Sequence, residues 1–238
     1  MSKRFLIGLG VFALLAAYGQ AARAAPVVID EFTDGSAELT TDTNDGIPDS
    51  VDQAGLSGVI GFGDRNLVAF QVAPPASTSS QDSELFIEAA TGQAFLNSGS
   101  AITSRWTFDY GADSPFDVDV TGGGLNTHFG INFVSSDVAG TTVKVTAYET
   151  AGAGGTNFAV FSGAVPTGSS LLLLPFSSFL GVDMTHLARI TYEFNGAEGV
   201  DHEIDLLVAT TIPAPAALPA GLVLLAGLLL IRFKRRWL

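Results

Sequence analysis

Between residues 25 and 211 apolar side chains recur at every second position in short runs, and Gly, Asn, Asp, Ser and Pro separate the runs. That alternation marks strands with one buried face. It is clearest at Phe129, Ile131 and Phe133, set against His128, Gly130 and Asn132. Val143, Val145 and Ala147 repeat it, as do Ile190, Tyr192 and Phe194, then Ile204, Leu206 and Val208. Earlier strands are predicted around residues 27–32, 67–72, 85–89 and 105–110. Residues 73–83, rich in Pro and Ser, and 151–157, rich in Gly, read as loops. Helical periodicity is nearly absent. Many short strands at this spacing predict an all-β fold, an antiparallel β-sandwich whose inner faces bury these side chains.

The two ends depart from the pattern and divide the chain into three parts. Lys3 and Arg4 precede an apolar run from Phe5 onward, and Ala22 and Ala24 are the small residues a signal peptidase reads, so residues 1–24 are expected to be a signal peptide forming an N-terminal helix. At the other end, residues 214–231 are uncharged; as a helix they reach about 27 Å, close to the hydrocarbon thickness of a bilayer. Arg232, Lys234, Arg235 and Arg236 follow and hold that end on the cytoplasmic side. The expected domains are thus the signal at 1–24, an exported body at 25–211 and a C-terminal transmembrane tail at 212–238. Pro215 and Pro219 break the start of the apolar run, leaving an extended neck at the outer interface.

Charge sharpens the division. Seven of the 11 basic residues lie in the two ends, so the body holds only Arg65, Arg105, Lys144 and Arg189 against all 24 acidic residues, a net charge of −20. Such a body repels nucleic acid and anionic lipid and favours divalent cations. Cysteine is absent, which removes disulfides, thiolate catalysis and Cys-type zinc sites.

Trp106, Phe108 and Tyr110 share one strand face, and alternation assigns them to the core. Tyr148 falls opposite Val143 and Val145 and is the better candidate for an exposed platform against a sugar ring. His128, His186 and His202 are scattered and read as surface or strand residues, and no Gly-x-Ser-x-Gly or His-Glu-x-x-His motif occurs. No enzyme activity is predicted. The segment from Asp42 through Asn44 and Asp45 to Asp49 resembles the acidic calcium loops of thrombospondin type 3 repeats, with Gly46 at the turn but Thr41 and Thr43 at two ligand positions. Asn-Asp-Gly is equally a plain turn signal.

Ile212, Pro213, Pro215 and Ala216, followed by the short span and basic end, resemble the PEP-CTERM family of bacterial sorting tails in the variant reading Val-Pro-x-Pro-Ala. Ile212 replaces the usual valine, and Ala214 stands where the type motif has glutamate. The resemblance implies recognition by an exosortase, first at the inner membrane; an ordinary stop-transfer anchor is the other reading of the tail. Within the body, Pro175-Phe176-Ser177-Ser178-Phe179 leading through Val182-Asp183-Met184-Thr185 into the last strands resembles the galactose-binding-like jelly rolls of carbohydrate-binding modules, over residues 106–208. That resemblance implies a jelly roll and polysaccharide as the ligand class. It also implies a structural calcium between the first and last strands, which nominates Asp30 and Asp205.

The expectation is an exported, non-catalytic protein of the cell surface or extracellular matrix. The rivals are a membrane-anchored glycan-active enzyme and a purely structural surface protein.

Overall fold

Thirteen antiparallel strands carry almost all the regular structure of the computed structural model, which describes residues 25–41, 47–61, 63–73, 82–149 and 157–212. They are β1 (Val27–Asp30), β2 (Ala37–Thr41), β3 (Asp49–Gln53), β4 (Arg65–Ala73), β5 (Ser83–Glu88), β6 (Gln93–Ser98) and β7 (Thr103–Tyr110). The later strands are β8 (His128–Ser136), β9 (Thr142–Glu149), β10 (Phe158–Ala164), β11 (Ser170–Pro175), β12 (Leu187–Gly196) and β13 (Asp201–Thr210). Ala24–Thr211 form one compact unit. The expected signal and tail helices, with Ala22, Ala24, Pro213, Pro215, Ala216, Arg232, Lys234, Arg235 and Arg236, lie outside the described residues. Among the described residues, no helix is long and apolar enough to cross a membrane.

The strands make two sheets. Sheet A runs β11-β8-β13-β6-β5-β2, with β1 also on β13, and sheet B runs β10-β9-β12-β7-β4-β3. From β6 onward the order is that of a jelly roll: 6-13-8-11 in one sheet faces 7-12-9-10 in the other. The inner faces bury the residues that alternation selected, with Trp106, Phe108, Tyr110, Ile131, Phe133, Val145, Tyr192 and Phe194 all fully inaccessible. The Pro175 to Phe179 segment holds a single 3-10 turn, Phe176–Ser178, and packs Phe176 and Phe179 edge-on against Phe129 with ring centroids 4.7 and 5.3 Å away, covering the core beneath it.

Two local features depart from the expected alternation. In β13 the register against β8 shifts between Ile204 and Leu206, so Asp205 is an extra residue. Beyond this bulge the fully buried positions are Leu207 and Ala209, while Leu206 is only half-buried. At the end of β1, Phe32 is fully buried at φ 55°, and the Asp30 carboxylate accepts its backbone N–H at 2.8 Å. Asp30 itself closes a buried polar knot. Arg65 Nη1 donates to it at 2.7 Å and the Tyr110 hydroxyl at 2.8 Å, while the rest of the guanidinium donates to Gln53 Oε1 and to the carbonyls of Asp34 and Gly35. Burial pushes the Asp30 carboxyl up, against the pull of Arg65.

Candidate functional site

The outer face of sheet B gathers the aromatic and hydrogen-bonding side chains that alternation leaves outside. The pairing registers line up Val160, Thr146, Thr191, Asp109, Asn66 and Asp52 across all six strands. These are short side chains, and Thr146 and Asp109 are only 7% and 9% exposed. They form the floor of a shallow trough. At the usual strand spacing its length is about 24 Å.

One wall comes from the next register row, Phe158, Tyr148 and Arg189. Phe158 is 55% exposed, and its ring lies 5.6 Å from that of Tyr148 at 37°. The register shift between Leu187 and Arg189 swings the Arg189 side chain toward both neighbours. Its guanidinium stacks 5.0 Å over Tyr148 and grips the Asp109 carboxylate with two hydrogen bonds, from Nε at 2.9 Å and from Nη2. This bond to Asp109 raises the Arg189 pKa further, so the guanidinium stays charged. Phe158 is fixed from behind. Its neighbour Asn157 donates to Glu149 Oε1 at 2.8 Å and to the Gly181 carbonyl, and Glu149 Oε2 accepts the Asp183 N–H at 2.7 Å. The Asn157 amide and the Asp183 N–H hold the Glu149 carboxyl below its ordinary range.

The opposite wall carries Lys144 beside Glu193 at 3.9 Å, and Arg105 stacked 4.9 Å over Phe70. With Arg65 inside the core, the three remaining basic residues of the body all lie on this face. The outer face of sheet A differs. It carries Glu38, Glu84, Glu88, Glu203 and Asp205, no basic residue among the described positions, and a stacked Phe86–Phe95 pair with ring centroids 4.4 Å apart. A shallow depression there is lined by Ser36, Glu38, Phe86 and Glu88 and presents two carboxylates.

Tyr148 is half-buried on this outer face, partly covered by Arg189, and Trp106, Phe108 and Tyr110 are core as expected. Phe158, Arg189 and Asp109 were not singled out from the sequence. The other nominated residues are dispersed. Asp30 is inside the sandwich with Arg65, whereas Asp205 is on the outer face of sheet A and accepts from Asn132 at 2.7 Å; the structure does not bring the two together. Asp49 is exposed at the start of β3, and Asp42, Asn44 and Asp45 lie outside the described residues. Among the described residues no group of three or more His, Asp or Glu side chains is placed to hold a metal ion. Of the histidines, His186 pairs with Asp117 at the surface, while His202 is buried on β13 and its Nε2 lies 2.8 Å from the Thr141 hydroxyl. Burial lowers the His202 pKa to about 4.

No protein-family model and no curated protein sequence matches the chain. Among solved structures it is similar to the family 11 carbohydrate-binding module of the cellulosomal cellulase Lic26A-Cel5E of Clostridium thermocellum, at 12% identity over 81% of this chain and 99% of that one, with a TM-score of 0.40. A family 11 module from the same organism in complex with a β-1,3-1,4-mixed-linked tetrasaccharide matches at 14% identity over 76% and 100%, with a TM-score of 0.36. An α-L-arabinofuranosidase in its arabinose-bound form matches at 14% identity over 80% of this chain but 27% of that one, with a TM-score of 0.32. Similarities of this size carry no functional inference.

Proposed function

We propose that this protein is an exported, non-catalytic glycan-binding protein and that the trough on sheet B takes the glycan. The observation that carries the reading is the wall of Phe158, Tyr148 and the Arg189–Asp109 pair beside a polar floor. An exposed ring presents an apolar surface to the CH-lined face of a pyranose. A guanidinium and a carboxylate held in register give charge-assisted donors and acceptors to adjacent hydroxyls. The pair is anchored before any ligand arrives, so little side-chain freedom is lost on binding. The terminal segments complete the proposal: export by the signal at 1–24, exosortase recognition at Ile212, Pro213, Pro215 and Ala216, and residence in the cell surface or polysaccharide matrix after sorting.

Two experiments test it. On a glycan array the body is expected to retain a defined set of oligosaccharides, Phe158→Ala with Tyr148→Ala is expected to lose them, and prolonged incubation is expected to release no new reducing ends. No retention, or equal retention by the double variant, would remove the trough from the proposal; turnover would favour the enzyme reading. Intact mass with and without an exosortase in the same host tests the sorting part separately. A chain still ending at Leu238 in both hosts would reduce the tail to a plain anchor.

A further inference from the structure

Charged residues are spread along the body with one wide gap: residues 150–182 contain no Asp, Glu, Lys, Arg or His. The described part of that gap builds β10 and β11, the edge strands of sheets B and A. Four of the nine large hydrophobic side chains exposed among the described residues fall in it, namely Phe158, Val160, Leu171 and Leu180. The opposite edges are guarded in the usual way, by Asp49 and Asp52 on β3 and Glu38 on β2. β11 ends on Pro175, whereas β10 has neither charge nor proline.

The hydrogen bonds at its ends identify the free backbone groups of β10. Glu149 N–H donates to the Asn157 carbonyl at 3.1 Å, and Val165 N–H donates to the Thr141 carbonyl at 2.9 Å. The odd-numbered residues therefore turn their peptide groups toward β9. Alternation sends those of Phe158, Val160, Ser162 and Ala164 to the other side, where no strand pairs among the described residues. All four of these residues are exposed.

We propose that β10 is a self-association edge: two copies of this chain pair their β10 strands antiparallel about a two-fold axis at Phe161 and join their B sheets into one. That register sets 158 opposite 164 and 160 opposite 162, satisfies every free group of the strand, and forms about eight ladder hydrogen bonds. A second copy fits better than another partner for reasons of charge. Each body carries −20, and the neutral edge lets two such bodies meet without opposing carboxylates. A basic partner would find no acid on this strand, and the strand offers a glycan no polar side chain except Ser162.

The test is the association of the full-length protein in detergent micelles, followed by sedimentation equilibrium over a range of concentrations. A monomer–dimer equilibrium is expected. Val160→Lys places two cations diagonally across the axis, and Ser162→Pro removes an edge donor without touching a bond to β9. Each is expected to weaken dimerisation by about tenfold or more. The chain has no cysteine, so mixed Val160→Cys and Ser162→Cys proteins are expected to form the heterodisulfide on oxidation, because opposed residues sit about 5.5 Å apart. A monomer at every concentration, a dimer indifferent to both variants, or cross-linking without preference for the mixed pair would overturn the proposal. Ser162→Pro and Ser162→Cys leave the trough floor and the wall of Phe158, Tyr148 and Arg189 in place, so glycan retention by these two is read independently of association; Val160 lies in the floor, and its variants report on association alone.

Discussion

Replacing Asp30 with alanine would leave the Arg65 guanidinium charged and inside the sandwich. Both side chains are essentially inaccessible, 0% and 1% exposed, and their 2.7 Å ion pair is joined by the Tyr110 hydroxyl and the Phe32 N–H. Arg65 would keep its bonds to Gln53, Asp34 and Gly35, all neutral acceptors, and lose the compensating charge. Breaking one partner of such a pair costs about 3–5 kcal/mol. For a body of this size that corresponds to a fall of roughly 10 °C in melting temperature. Urea titration of a fragment spanning residues 24–211 measures it, with Trp106 as the buried reporter and the other tryptophan, Trp237, excluded from the fragment. The double replacement Asp30→Leu with Arg65→Met removes both charges and is expected to recover at least half of the loss, since well-packed apolar substitutes for a buried pair are often neutral. A loss below about 1 kcal/mol for Asp30→Ala, or a double variant no better than the single one, would refute the uncompensated-charge reasoning.

His202 makes stability depend on acidity. Its pKa is about 4 when folded and near 6.5 when unfolded, so between these values the unfolded chain binds more protons. Its contribution is complete above about pH 6.5 and is lost as pH falls toward 4, by about 3 kcal/mol in all. In urea titrations at pH 7.5 and 4.5, His202→Gln is expected to shrink the difference. Arg189→Lys keeps the charge but loses the two-point grip on Asp109 and the flat stack on Tyr148, so glycan affinity is expected to fall about tenfold with melting temperature nearly unchanged. Gly196→Ala would drive a methyl into the Trp106 ring, with an expected cost of about 1–3 kcal/mol and a shifted Trp106 emission. Glu149→Ala releases Asn157 and the Asp183 N–H, and hydrogen exchange at the start of β10 is expected to accelerate.

Strands with strong apolar alternation were legible, and so was the side they bury. Phe129, Ile131 and Phe133 face inward as their spacing demands, and Tyr148 faces out because Val143 and Val145 face in. β2 and β3 escaped notice because Leu39 and Val51 are the only large apolar residues in them, and pairing with β5 and β4 completes what propensity does not. The bulge at Asp205 was equally hidden, because a period-two pattern assumes an unbroken register. The rest of the candidate site was silent for a different reason. Arg189 meets Asp109 and Tyr148 only through the order β9-β12-β7, a contact spanning 80 residues to Asp109. Asp30 was nominated for calcium by its place in the fold alone, because Arg65, its neutralising partner, is 35 residues away in sequence.

The course of β13 sets how this body would bear a mechanical load. Residues 201–204 pair with β6 and residues 207–209 with β1, while β8 runs along the other side from His202 to Thr210. The chain continues beyond Thr211 directly from this strand. A pull on the C-terminal segment therefore enters the interior of sheet A, at a strand zipped on both flanks, where flanking ladder bonds share the tension. A body tethered through an edge such as β10 or β2 would be peeled bond by bond. Under the proposed function, tethering through β13 would let the outer face hold a ligand under tension without the sheet being peeled.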